Sequence, residues 1–215
     1  MLAIDIDRLR LQELSGARLS LKVGAGEAVA LVDDDQHRVT PIIRRCGGLD
    51  PIDEGRVQIG TVDVGRADRH TLQRMRQDVG YVSIGGGLFA NTTLAANVAL
   101  PLRYRGMAEA EADARARELL AEAGLQQHAD LRAATIASEL QKLAAYVRAL
   151  ALQPGVLLVE DAAAHLHPHG RRVVQQLLTT LRARGATVLL ADDDRELARH
   201  LTDRVVELSS VLEAA

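Results

Sequence analysis

Residues 26–48 read GEAVALVDDDQHRVTPIIRRCGG. The run AVALV at 28–32 is continuously apolar, the pattern of a strand buried on both faces of a parallel sheet. An acidic stretch follows, Asp33-Asp34-Asp35. Thr40 can cap a helix whose first turn takes Pro41, where a missing N–H costs nothing. The segment IIRRC continues that helix, and Gly47 and Gly48 end it. The stretch is thus expected to be a strand, a connection of about eight residues and a helix, the order in which phosphate-binding loops are built.

Outward from this centre, residues 3–8 and 18–23 alternate apolar and polar, as half-buried strands do. Residues 55–64 suggest a hairpin, 68–77 a short polar helix and 79–83 another strand. Residues 90–153 are rich in Ala, Leu, Glu and Arg and read as helical. A buried strand at 156–159 ends in Glu160 and Asp161. An amphipathic helix at 168–184, a strand at 187–191 ending in Asp192–Asp194, a helix and a last strand near 204–208 follow. The order predicts an α/β fold with a mostly parallel sheet, antiparallel N-terminal strands and a helical subdomain at about 90–153, within a single domain over 1–215.

Composition narrows the function. Of 215 residues, 47% are hydrophobic, enough for a sizeable core. A net charge of −3 leaves no basic footprint, so nucleic acid is not an expected partner. Cys46 is the one cysteine, which fits a reducing cytoplasm and a small core residue. The early charges of MLAIDIDRLR do not read as a secretory signal, and no run is long enough to span a membrane.

Several words of the sequence, taken in order, resemble ATPase subunits of ABC transporters over residues 3–208: GEAVALV at 26–32, GLDPIDEGRVQIGTVDV at 48–64, VGYV at 79–82, GLFANTTLAANVALPLR at 87–103, RALALQPGVLLVED at 148–161, HLHP at 165–168 and ATVLLADD at 186–193. This ABC-ATPase resemblance implies a P-loop NTPase-like fold. The stretch NVALPLRYRG is most similar to bacterial lipid-transport ATPases associated with MCE proteins.

The resemblance also implies where ATP and Mg²⁺ are handled, and here the sequence departs from the family. The phosphate loop falls on Asp33, Asp34, Asp35, Gln36, His37, Arg38, Val39, Thr40 and Pro41, with no glycine, and with Val39 where the family has lysine. Thr40 keeps a hydroxyl that would face Mg²⁺. Three carboxylates stand where a polyanion would lie, and like charges ~4 Å apart cost on the order of 4 kcal/mol in a partly shielded site. No aromatic residue precedes Tyr81 to stack on adenine. Ser83 and Ile84 replace the glutamine that senses Mg²⁺. The signature segment, which caps a partner's ATP, falls on Ile136, Ala137, Ser138, Glu139 and Leu140, and the arginine after it on Leu143. The Asp-Glu pair for Mg²⁺ and water falls on Glu160 and Asp161, the following aspartate on His167 and the switch histidine on Asp193.

These departures lead to the expectation of a degenerate subunit that does not hydrolyse ATP and holds no cofactor. It would serve as a structural or regulatory partner of a membrane permease or of an intact ABC ATPase, or as a homodimer, in the cytoplasm at the inner face of the membrane. Two alternatives stay open: a weak or unconventional ATPase of a lipid transporter, and a soluble regulator without a permease. Leu88 and Phe89 are the expected apolar anchors for a permease segment. The acids at the strand ends also raise a divalent-cation site at Asp33, Glu160, Asp161 and Asp193, against a solvated acidic rim partly offset by Arg38 and His37. The alternate His165, His167 and His169 suggest zinc only weakly.

Overall fold

The computed structural model describes residues 3–213. Two sheets carry the fold. The first is antiparallel, with β1 (Ile4–Arg10), β2 (Arg18–Val23), β4 (Arg56–Ile59), β5 (Val62–Asp63) and β10 (Leu212–Glu213) in the order β10-β2-β1-β4-β5. The second contains β3 (Ala28–Val32), β6 (Val79–Val82), β7 (Val156–Val159), β8 (Thr187–Asp192) and β9 (Arg204–Glu207) in the order β6-β7-β8-β3-β9. All its pairings are parallel, with Val32 opposite both Asp192 and Glu207, and Val82 opposite Val159. The carboxyl ends of these strands therefore share one edge.

The parallel sheet is covered on both faces, and side-chain alternation divides the core. Ala28, Ala30 and Val32 face α5 (Ser138–Leu150) and α6 (Pro168–Arg182), together with α3 (Leu94–Tyr104) and α4 (Glu109–Glu122) beyond. Val29 and Leu31 face α1 (Gln36–Cys46) and the antiparallel sheet. Two shorter helices complete the fold, α2 (Arg69–Arg76) and α7 (Arg195–Leu201). The expected strand and helix segments are present, and the helix-rich span is α3, α4 and α5 with short 3-10 turns between them. The strand β10 pairs with β2 at the sheet edge and was not foreseen.

One local expectation is corrected. Helix α1 begins at Gln36, not after Thr40, and its cap is Asp35, whose Oδ1 accepts the His37 N–H at 2.9 Å. The connection between β3 and α1 is just Asp33–Asp35. With no glycine to favour an open loop, residues 36–40 take helical angles, and a carboxylate at the positive end of the helix stabilises that start. Pro41 consequently lies inside the helix, where it removes the amide that would reach the His37 carbonyl. Pro41→Ala is expected to raise the unfolding free energy by about 1–3 kcal/mol in urea denaturation. No gain, or a loss, would place the helix start after Thr40.

Candidate functional site at the carboxyl edge of the parallel sheet

The carboxyl edge gathers both Asp triplets, and all of these acids but the exposed Asp193 are engaged within the chain. Asp33 accepts from Arg38 at 2.8 Å and from the Asp35 amide at 3.0 Å. Asp34 pairs with Arg195 at 2.6 Å, and the same guanidinium forks onto Glu207 at 2.7 and 2.9 Å. Asp194 caps α7 through the Leu197 amide at 2.9 Å and pairs with Arg171 at 2.6 Å. The Leu197 amide and Arg171 hold its carboxyl below the usual aspartate range. Val39, at the family's lysine position, is fully buried in the core under the antiparallel sheet. Gln36 and Thr40 turn their polar side-chain atoms into the protein without a hydrogen-bond partner.

Behind this rim lies a buried charged cluster. Glu160, 2% exposed, accepts from the Tyr81 hydroxyl and from the Ile84 amide at 2.9 Å, with Arg44 Nη1 at 3.8 Å. It therefore ties the end of β7 to the Ser83–Ile84 segment after β6. Lys142, 1% exposed, donates to the carbonyls of Ser83 at 3.2 Å and Glu160 at 3.1 Å. Its ammonium lies 5.9 Å from the centre of the Tyr146 ring. Burial pulls Lys142 down to about 8, resisted by the charges of Asp161, Asp192 and Glu160. Asp192 is fully buried, accepts the Ala163 and Asp194 amides at 2.8 Å each, and is pushed up to about 7 by burial. Burial also raises Asp161. Lys142 was missed in the sequence. Its one signal is a charge placed directly before the apolar helical run LAAYV at 143–147, where an ammonium drawn into the core needs buried acceptors.

The signature segment is likewise engaged within the chain. Ser138 opens α5, and Glu139 Oε1 accepts the His167 amide at 2.9 Å, which links the starts of α5 and α6. Gly170 permits this approach: a Cβ there would come within 2.4 Å of that same oxygen. Glu139 thus faces a backbone amide of its own chain.

The cation reading is corrected. Among the described residues no three or more His, Cys, Asp or Glu side chains gather so as to hold a metal ion. Asp33 is taken by Arg38, and Glu160 by Tyr81 and Ile84, so Asp33, Glu160, Asp161 and Asp193 do not act as one ligand set. The same holds for His165, His167 and His169. Cys46 is fully buried and its thiol is pushed up to about 12, which makes it an inert core residue. Phe89 is exposed, while Leu88 packs inward against the core. Asn97, 1% exposed, holds the turn before α3 by accepting the Phe89 amide and donating to Thr92 and Thr93.

The cluster carries a pH signature. The Asp192 carboxyl titrates near 7 in the fold and at about 3.9 in an unfolded chain. Between those values the folded state holds the extra proton, so this group's stabilisation is full below about pH 4 and is lost as pH rises towards 7. Asp192→Asn should flatten that decline in urea denaturation at several pH values. An unchanged slope would place the titrating group elsewhere.

No protein-family model matches the chain. Among curated proteins, the methionine import ATP-binding protein MetN of Xanthomonas axonopodis pv. citri is 34% identical over 193 residues, 89% of this chain and 58% of that protein. The chain thus spans little more than half the length of its MetN relatives. The lipoprotein-releasing system ATP-binding protein LolD 1 of Rhodospirillum rubrum is 36% identical over 201 residues, 92% of this chain and 87% of that protein. Among solved structures, the dimeric ABC transporter cassette MJ0796 superposes with a TM-score of 0.86 at 25% identity, covering 95% of this chain and 94% of that one. The cassette cbiO1 of Clostridium perfringens, at 18% identity and a TM-score of 0.79, shares the fold. These relatives overturn the expectation that the chain is not an enzyme: ATP hydrolysis is what such subunits do, and altered phosphate-loop residues do not remove this chain from their company. The chain belongs to the ATP-binding subunits of ABC transporters.

Proposed function

We propose that this chain is the ATPase subunit of an ABC transporter of the importer or lipoprotein-release type, and that it grips and turns over ATP weakly. The observation that carries the weak grip is the Asp35 cap on α1. The start of a helix offers amides and positive potential to phosphate. Here a carboxylate already takes the His37 amide, and Asp33 and Asp34 add charge of the wrong sign for a triphosphate. Arg38, one residue before Val39, is the cation nearest to the missing lysine, and Asp33 holds it. Internal acids thus hold the amide and the cation that a triphosphate would use, and triphosphate is left to bind loosely outside them. Asp161 keeps a carboxylate just after β7 for the water-activating side of the chemistry.

Partners follow from the same reading. The subunit pairs with a second cassette, as the dimeric structure neighbours do, and docks on a membrane permease. The exposed Phe89, together with Leu100 and Tyr104 of α3, supports a surface for that permease. No helix among the described residues is long and apolar enough to cross a membrane, so this reading assigns the crossing to the permease.

Titration calorimetry with Mg-ATP tests the weak grip. The unmodified chain should show a dissociation constant well above micromolar. Asp34→Asn combined with Asp35→Asn keeps an amide-capping side chain and removes two charges. It should tighten binding at least about tenfold, since tenfold is 1.4 kcal/mol and one like-charge contact costs about 4 kcal/mol. Micromolar affinity in the unmodified chain, or no response to the neutralised pair, would remove this reading.

A further inference from the structure

In the antiparallel sheet Ile6, Leu19 and Val57 are buried, so their strand neighbours Asp7, Arg18 and Arg56 fall on the opposite, solvent face. A hollow of about 440 Å³ lies on that face, where β1, β2 and β4 meet the chain after β5. Four arginines line it, Arg8, Arg18, Arg56 and Arg66, together with Asp7, Glu54 and Gly55. No apolar side chain lines the hollow, and no residue of the 33–41 segment takes part in it.

The backbone is bent to place one of these cations. The register of β1 against β2 slips between Ile6 and Leu9, and the bulge leaves Arg8 at φ 48°. That left-handed conformation favours glycine and strains a residue that carries a side chain. The bulge is held from both sides. The Arg8 amide donates to Ser20 Oγ at 3.1 Å, and Gly55 packs so closely that a Cβ there would come within 2.4 Å of the Arg8 carbonyl oxygen. A bulge re-aims the side chain it carries, and here the side chain is a guanidinium turned to the hollow.

The acids nearby do not use up these cations. Four arginines face two acids in the hollow, and one of the two, Glu54, already accepts from Arg10 at 2.7 Å. Arg8 stands 3.7 Å from Asp7, Arg56 3.7 Å from Asp5 and Arg66 3.9 Å from Asp63, all too long for hydrogen bonds. Arg18 has no ion pair among the described residues, although Glu213 lies opposite it on β10. Among those residues none of the four guanidinium groups makes a hydrogen bond. By contrast Arg38, Arg44, Arg171, Arg195 and Arg204 each donate to a carboxylate at 2.6 to 2.8 Å. The hollow thus presents a set of open donors and an excess of positive charge in a chain whose net charge is −3.

We propose that this hollow binds a compact anion bearing two or more phosphate groups, at a place separate from the nucleotide site at residues 33–41. Guanidinium forks match phosphate oxygens two at a time, and several forks around one concavity suit a polyanion. The lining also limits what the ligand is. A docked protein helix or an acyl chain needs apolar anchors, and the hollow offers none, so its ligand is small and hydrophilic. The site is independent of ATP turnover and stands or falls by itself.

Titration calorimetry of the full chain with inorganic pyrophosphate in magnesium-free buffer tests it. One saturable site is expected, with an affinity that falls as salt rises. Arg8→Gly with Arg18→Gln should weaken binding at least about tenfold, since the pair removes two charge-assisted contacts. The same pair should not lower the melting temperature, because glycine takes the left-handed angle at position 8 without strain. Arg172→Gln with Arg184→Gln removes equal charge from exposed positions outside the hollow and should leave the affinity unchanged. Binding that ignores the first pair would place the anion elsewhere, and equal weakening by both pairs would mark diffuse attraction to net charge; either result overturns the proposal. So would a lack of saturable binding, or binding to phosphatidylglycerol vesicles that depends on Arg8 and Arg18 while pyrophosphate does not bind.

Discussion

The bond from the His37 amide to Asp35 sets the character of the site. A helix start has unpaired amides and a positive end, and something must satisfy both. In a phosphate-binding loop the ligand does so. Here the chain supplies its own carboxylate, and the helix consequently begins at Gln36 directly behind a short acidic turn. That early start carries Val39 into the core and leaves Pro41 within the helix. The rest of the rim follows the same logic, with Arg38, Arg195 and Arg171 each neutralising an acid that would otherwise repel its neighbours.

The interior beneath the rim is held by a different device. Glu160 and Lys142 both bridge the end of β7 to the segment after β6, one by accepting and the other by donating. Removing Lys142 would leave the Ser83 and Glu160 carbonyls without their buried donor, and removing the Glu160 carboxylate would leave the Tyr81 hydroxyl and the Ile84 amide without their acceptor, each a desolvation cost with no compensation. The cluster therefore fixes the geometry of the sheet edge independently of any ligand. It also explains why acids at this edge did not add up to a cation site: the protein's own ammonium and guanidinium groups already occupy that electrostatic role.

The fold was legible because its signals are local and periodic. AVALV and VLLV can only be satisfied by burial on both faces, and the glycine stop at Gly47 and Gly48 bounds α1 correctly. The start of α1 was misplaced because Thr40-Pro41 is a good capping pair in isolation, whereas Asp35 is also a capping residue and leaves more residues helical. Strand β10 is too short to show a period. At the site, the identities of the altered positions could be read, but their partners could not. That Glu139 would meet the His167 amide, or Lys142 the carbonyls of Ser83 and Glu160, depends on contacts between distant segments. Family membership, finally, corrected the inference from altered residues to lost activity.

The central claim is that the helix start, capped from within, persists against nucleotide. A crystal structure of the chain grown with saturating Mg-ATP tests it most directly. The account predicts α1 still beginning at Gln36, the Asp35 carboxylate still on the His37 amide, and any triphosphate lying outside that cap. A loop opened over residues 33–39 and wrapped around ordered phosphates, with the Asp35 side chain displaced, would contradict it.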